Sequence, residues 1–289
     1  MSVRARIAGT GMYVPTRIVT NRDLELLMDT SDEWIQQRTG IVQRHHVDPG
    51  MGPADLAREA SLRALEAAGI APDEVDALQV AQLYIESGRY RRVLLVGAEV
   101  HSTGLDMTTR GREVSVIFGD GAGAVVLEPC TDPGRGILSV HLHAQGRHAR
   151  KLWVESPGSA LSPPIDAQQL EEGRQYPYMD GRFVFKHAVV RMPEVLGEAL
   201  EHNGLALADV ALFLFHQANL RINEAVVQRL GIPAERMASN IERYGNCSAA
   251  SIPMLLDECV RSGRVRSGDL LAFAGFGSGF TWGSALVRW

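Results

Sequence analysis

The stretch Val210-Ala-Leu-Phe-Leu-Phe-His-Gln-Ala-Asn-Leu-Arg-Ile-Asn223 decides the fold. Residues 210–215 form a short, continuous apolar run, the pattern of a strand buried on both faces of a parallel sheet. The run stops at His216, and polar residues begin at once. Open parallel α/β sheets hold their ligands beyond the carboxyl ends of the strands, so His216 stands where a catalytic group would stand. A histidine's ordinary pKa, close to neutrality, suits acid–base work or hydrogen-bond donation. A strand-end histidine can equally cap a carbonyl, and the run alone leaves those two readings balanced.

Outward from that stretch the second half alternates helix and strand. Residues 182–203 have helical spacing with Pro193 near a possible kink, and residues 219–230 form the next helix. A short strand is expected at 237–240. Tyr244-Gly-Asn-Cys-Ser-Ala-Ala-Ser251 then leads into a helix that stops at Ser262-Gly263. A strand at 269–274, a glycine turn Gly275-Phe-Gly-Ser-Gly-Phe280 and a final strand at 283–289 complete this half.

In the first half residues 4–14 read as a strand ended by Pro15. Thr30-Ser-Asp-Glu33 reads as a capping box that opens a helix. Trp34 and Arg38 lie four apart and so share a face of it. An indole beside a guanidinium suits an adenine or phosphate ligand, or simple packing with a surface ion pair. Helices are expected at 54–68 and 72–86, and buried strands at 92–98, 114–118 and 124–128. Gly119-Asp-Gly-Ala-Gly-Ala124 is glycine-rich, but a dinucleotide fingerprint needs a helix after its glycines. Here a strand follows, so a tight turn between antiparallel strands is the expectation.

The 289 residues are 45% hydrophobic and 22% charged, enough for a substantial core and against wholesale disorder. A formal net charge of −5 argues against a nucleic-acid partner, which needs a basic surface. No apolar run has the length of a membrane span, and the start lacks the long apolar stretch of a signal peptide. Cys130, Cys247 and Cys259 are odd in number and show no metal-ligand spacing, so a cytoplasmic protein without a metal is expected.

The halves resemble each other. Leu65-Glu-Ala-Ala-Gly-Ile-Ala-Pro-Asp-Glu-Val-Asp-Ala-Leu78 parallels Leu200-Glu-His-Asn-Gly-Leu-Ala-Leu-Ala-Asp-Val-Ala-Leu212. Ser87-Gly-Arg parallels Ser262-Gly-Arg, and Phe118-Gly-Asp-Gly parallels Phe276-Gly-Ser-Gly. Three matches in one order indicate an internal duplication, hence a pair of similar α/β layers, residues 1–135 and 136–289. The duplication exposes a deficit. Gly204 and Gly263 are 59 positions apart, whereas their counterparts Gly69 and Gly88 are 19 apart, so the first half is 40 positions short. In the second half that interval holds His216 and Asn246.

Together, Thr30-Ser-Asp-Glu-Trp-Ile-Gln-Gln-Arg-Thr-Gly40, Phe118-Gly-Asp-Gly-Ala-Gly-Ala124, His216-Gln-Ala-Asn-Leu-Arg-Ile222, Gly245-Asn-Cys-Ser-Ala-Ala-Ser251 and Phe276-Gly-Ser-Gly-Phe-Thr-Trp-Gly283 make the chain resemble a β-ketoacyl-acyl-carrier-protein synthase III. The resemblance implies a thiolase-like fold of two duplicated halves in an αβαβα arrangement. It implies decarboxylative condensation of an acyl-CoA primer with malonyl-acyl-carrier protein, through a Cys-His-Asn triad and without a cofactor. His216 and Asn246 match two triad members. Their implied role is to donate hydrogen bonds to the malonyl thioester carbonyl as carbon dioxide leaves. Trp34, Arg38 and Arg110 match the mouth of a CoA tunnel, and Arg221 a basic residue of carrier-protein docking. Phe276 matches an aromatic gate. Ser278 falls where relatives supply a backbone N–H to the oxyanion, with a side chain that narrows its dihedrals. A homodimer is implied as well.

The nucleophile is the departure. In the family it lies on a strand-to-helix turn within the interval that is missing here, and none of Cys130, Cys247 or Cys259 takes its place. A chain joined at Asp76–Leu78 loses a sheet strand and leaves neighbouring backbone groups unpaired. Either residues of the natural molecule are missing from this sequence, or the shortening is genuine. Continuity of every motif on both sides favours the first. If the shortening is genuine, a carrier-protein- or CoA-binding subunit without turnover, or a malonyl-thioester decarboxylase, becomes the alternative.

Overall fold

The computed structural model describes residues 3–70 and 81–289. The start of the helix expected from Pro72 and the junction at 76–78 lie outside the described residues. Two sheets carry the architecture. The first is β1 (Arg4–Tyr13), β2 (Val93–Glu99) and β3 (Gly121–Cys130), in the order β1-β3-β2 with both pairings antiparallel. The second is β4 (Gly136–Ala144), β5 (Leu212–Phe215), β6 (Met237–Ala238), β7 (Leu270–Gly277) and β8 (Thr281–Arg288), in the order β6-β5-β7-β8-β4. β8 is antiparallel to both neighbours, and β5 is parallel to β6 and β7.

The order β4-β8-β7 repeats β1-β3-β2, which is the duplication read from sequence. The second sheet then continues into parallel β5 and β6. Among the described residues the first sheet ends at β2, where Leu95 is 46% exposed. Among the described residues the first sheet has no counterpart of parallel β5 and β6, in keeping with the deficit of sequence.

The run at 210–215 gives β5, whose four residues are all buried, as a strand covered on both faces requires. Helices α1 (Asp32–Thr39), α2 (Pro53–Ala68), α3 (Ala81–Glu86), α4 (Gly181–His202), α5 (Leu220–Leu230) and α6 (Ser251–Arg261) surround the sheets. Ser31 caps α1 by accepting from the Trp34 N–H, and Gly40 ends it in a left-handed conformation. α4 runs through Pro193.

Two expectations are corrected. Residues 114–118 are not a strand; Arg112–Ser115 is a helical turn, and Val116 and Ile117 bury against Ile35 and Ile41. A five-residue apolar run does not by itself distinguish strand from helical turn, and packing decides here. The glycines at 121 and 123 do not form a turn but lie within β3. A Cβ on Gly123 would sit 2.7 Å from the Met254 backbone nitrogen, so these glycines let α6 approach the sheet. Likewise Gly275 and Gly277 belong to β7, and the turn into β8 is shorter than its sequence pattern indicated. Among the described residues no helix is long and apolar enough to cross a membrane.

Candidate active site

The site lies beyond the carboxyl end of β5, where the strand's direction aims it. A cavity of about 870 Å³ opens there, lined by Trp34, Arg38, His101, Phe118, His216, Arg221, Asn246, Ser248, Phe276 and Ser278 among others. A second cavity, of about 780 Å³, shares His216, Ser248, Phe276, Gly277 and Ser278 with it and adds Glu99, Leu142 and Trp282.

His216 is fixed from below. Its backbone N–H donates to Ala274 O (2.9 Å), and Asn223 Nδ2 donates to its carbonyl (3.3 Å). Its Nδ1 lies 2.6 Å from Ser251 Oγ, which already accepts the Gln217 N–H at 3.3 Å. The Ser251 hydroxyl is placed to donate to Nδ1, an arrangement that keeps the ring proton on Nε2. Burial, reinforced by the nearby His101, lowers the pKa of His216 from 6.5 to about 4. At neutral pH His216 is therefore a neutral donor.

Asn246 is held by its backbone. Its N–H donates to Ile117 O (2.9 Å), and its carbonyl accepts from the Gly119 N–H (3.1 Å). Its Oδ1 accepts from the Ser248 N–H at 2.8 Å, which orients the amide and leaves Nδ2 as the group with hydrogens to give. Gly245, at φ 67°, makes the turn that admits this close approach. Two neutral donors at the floor of a largely apolar cavity can stabilise an enolate oxygen.

At the rim the Arg38 guanidinium lies 4.7 Å from the Trp34 ring centre, and that of Arg112 lies 5.4 Å from it. Arg221 lines the rim, joined by Arg182 and Lys186 from α4, which the motifs did not single out. Arg110 stands apart. Its Nε donates to Asp106 Oδ2 (2.6 Å) and its Nη1 to Glu171 O (2.9 Å), and it does not line the large cavity. Phe276 is buried and packs edge-on to Phe280 at 4.9 Å. Ser278 donates through Oγ to Leu152 O (2.6 Å), so its side chain turns from the cavity floor; its φ is not positive, and the strain falls on Gly279 at φ 134°.

All three cysteines are described, and none lines either cavity. Cys247 adjoins Asn246 but is buried, and burial pushes its thiol well above the ordinary value. His101 and Ser248 line the cavity without having been marked by sequence. They are brought together across 147 positions, a separation no local pattern reveals.

Residues 200–289 match the family model described as 3-oxoacyl-[acyl-carrier-protein] synthase III C terminal, and residues 74–146 the model described as 3-oxoacyl-[acyl-carrier-protein] synthase III. The beta-ketoacyl-[acyl-carrier-protein] synthase III of Xanthomonas campestris pv. campestris is 41% identical over 330 residues, covering 99% of each chain. That alignment is longer than the 289 residues here, so the relative carries residues without a counterpart, in keeping with the deficit. The crystal structure of 3-oxoacyl-[acyl-carrier-protein] synthase III from Aquifex aeolicus is similar at TM-score 0.88 and 34% identity, over 99% of this chain and 100% of that one. The synthase III structure from Thermus thermophilus gives 0.88 and 36%, over 98% and 99%.

Proposed function

From the premise that the chain belongs to the β-ketoacyl-[acyl-carrier-protein] synthase III family, a family of acyltransferases with the thiolase-like fold, we propose that it carries out decarboxylative condensation of an acyl-CoA primer with malonyl-acyl-carrier protein in the cavity beyond β5. The observation that carries the proposal is the pair of neutral donors, His216 and Asn246, on one cavity floor. Loss of carbon dioxide from a malonyl thioester places negative charge on the thioester oxygen. Donors that are already neutral and oriented stabilise that charge without reorganising. The resulting carbanion would attack an acyl group held nearby. Phe276 lines the apolar side of the cavity, and the backbone N–H at Ser278, which lines it too, would serve the thioester oxyanion. Trp34 and Arg38 would hold the adenine or phosphates of CoA. Arg221, with Arg182 and Lys186, gives the rim a positive charge that suits an acidic carrier protein. For Arg110 the observed bonds support a structural part rather than direct contact with CoA.

The same reading takes the chain as a cytoplasmic homodimer of two duplicated halves, 1–135 and 136–289, that needs no cofactor. The absence of a cysteine from both cavities favours one second reading. With donors but no thiol nucleophile, malonyl-thioester decarboxylation is the part of the reaction these residues support directly. Incubation with malonyl-acyl-carrier protein and acetyl-CoA, following carbon dioxide and 3-oxoacyl product separately, tests both. Condensation gives both products, and decarboxylation alone gives only the first. His216→Ala is expected to slow carbon dioxide release about a hundredfold or more. Release unchanged in that variant would overturn both readings.

A further inference from the structure

We propose that Ser248 and His101 form a nucleophile–base pair that accepts an acyl group from an acyl thioester, the part that no cysteine here plays. The proposal rests on the acyl-thioester reading of this cavity and supplies its acceptor. Ser248 Oγ lies 2.8 Å from His101 Nε2, and both residues line the cavity that holds His216 and Asn246. The serine sits at φ 45°, the only non-glycine residue with positive φ among the described residues. Strain of that kind persists where surrounding structure enforces it, and it gathers at sites that present a side chain. Here Ser248 opens the short 3-10 turn that leads into α6, with its N–H tied to Asn246 Oδ1.

His101 is held with similar care. The buried Asp120 carboxylate accepts the backbone N–H groups of His101 (2.7 Å) and Ser102 (3.0 Å), and the His101 ring packs on Phe118 at 4.5 Å. Burial lowers the pKa of His101, against the pull of Glu99 and Asp120, so it is a neutral base at neutral pH. Glu99 lies 3.8 Å from the same Nε2, placed to stabilise the imidazolium once a proton arrives. The arrangement is a dyad with a flanking carboxylate, since Glu99 does not back Nδ1.

The step balances. With the ring proton on Nδ1, Nε2 takes the Ser248 hydroxyl proton as Oγ attacks the thioester carbonyl carbon. The C–O bond forms and the C–S bond breaks. The departing thiolate takes the proton from Nε2 and leaves as the thiol, and the acyl group remains as an ester on Ser248. A carbanion generated by decarboxylation, or water, would then take the acyl group and return the hydroxyl.

The test is acetyl-CoA with the full chain, measuring free CoA thiol and, after acid quench, acetylated peptides. CoA release is expected, with acetyl mapped to Ser248 and stable to neutral hydroxylamine, as an oxygen ester is and a thioester is not. Ser248→Gly, which suits positive φ and should fold, is expected to abolish both. His101→Gln is expected to slow CoA release about a hundredfold. Three results would overturn the proposal: no CoA release, release that survives Ser248→Gly, or a hydroxylamine-labile acetyl on Cys247. Carbon dioxide release from malonyl-acyl-carrier protein is followed alongside. If it occurs without Ser248 acylation, the serine proposal fails while the reading of the His216–Asn246 pair stands; if neither occurs, both fail.

Discussion

Ser251 Oγ stands 2.6 Å from His216 Nδ1 and 3.3 Å from the Gln217 nitrogen, so one buried hydroxyl is placed to donate to Nδ1 and hold the ring proton on Nε2. Ser251→Ala removes the donor to Nδ1 and lets the ring proton shift there, which turns Nε2 from donor to acceptor. Carbon dioxide release from malonyl-acyl-carrier protein is expected to fall about tenfold or more, chiefly in kcat, because the lost interaction strengthens as the enolate forms. Ser251→Thr keeps the hydroxyl and should restore most of the rate. A change confined to KM would show that the hydroxyl does not set the donor.

The pH dependence of stability follows from the same burial. His216 drops from 6.5 to about 4 in the folded chain, and burial lowers His46 and His101 too. Between those two values the unfolded chain binds more protons than the folded one at His216, so stability rises with pH across that window. The contribution is fully present above about pH 6.5 and is lost as pH falls toward about 4. Urea midpoints are expected to decline from pH 7 to pH 5, with a shallower decline in His216→Gln. Carbon dioxide release, which needs the neutral ring, should hold level over the same range.

Much of this architecture was legible in the chain. The apolar run ending at His216 gave a buried parallel strand with its histidine at the exit; the Thr30–Glu33 capping box located the start of α1, but Ser31 rather than Thr30 caps it, and without the reciprocal bond of a box. The family resemblance implied that His216 and Asn246 share one site, and both line the same cavity; the repeat spacing pointed to a shorter first sheet, which among the described residues ends at β2. Residues 114–118 misled because a short, mostly apolar run fits a strand and a helical turn equally well. Arg110 shared the chemistry of a phosphate contact, but Asp106, four positions away, takes its guanidinium. The His101–Ser248 contact was invisible because tertiary packing alone joins its partners.

Charge at the rim should act on carrier recognition. Arg182, Lys186 and Arg221 are exposed and line one side of the opening. Reversal in Arg182→Glu or Arg221→Glu is expected to raise KM for malonyl-acyl-carrier protein about tenfold. Because the attraction is between solvated charges, added salt should weaken the wild-type complex more than the variants. Equal salt dependence in all three proteins would remove this face from the docking surface.

Two glycines offer opposite outcomes from one substitution. Gly197 lies inside α4, and a Cβ there meets nothing within 4 Å, so Gly197→Ala gains helix propensity without collision. It is expected to stabilise the chain by roughly 0.5–1 kcal/mol. Gly97 lies in β2, where a Cβ would come 2.5 Å from Ala249 O and 2.7 Å from Ala249 C. Those are backbone atoms of the turn that carries Ser248, so relief requires the turn itself to move. Gly97→Ala is expected to cost about 1–3 kcal/mol and to disturb the 2.8 Å approach of Ser248 to His101. Thermal melts of both variants, with CoA release from acetyl-CoA, separate the effects. The first should melt higher with unaltered release, and the second lower with slower release. A Gly97→Ala protein as stable as the parent would mean that β2 does not press on the Ser248 turn.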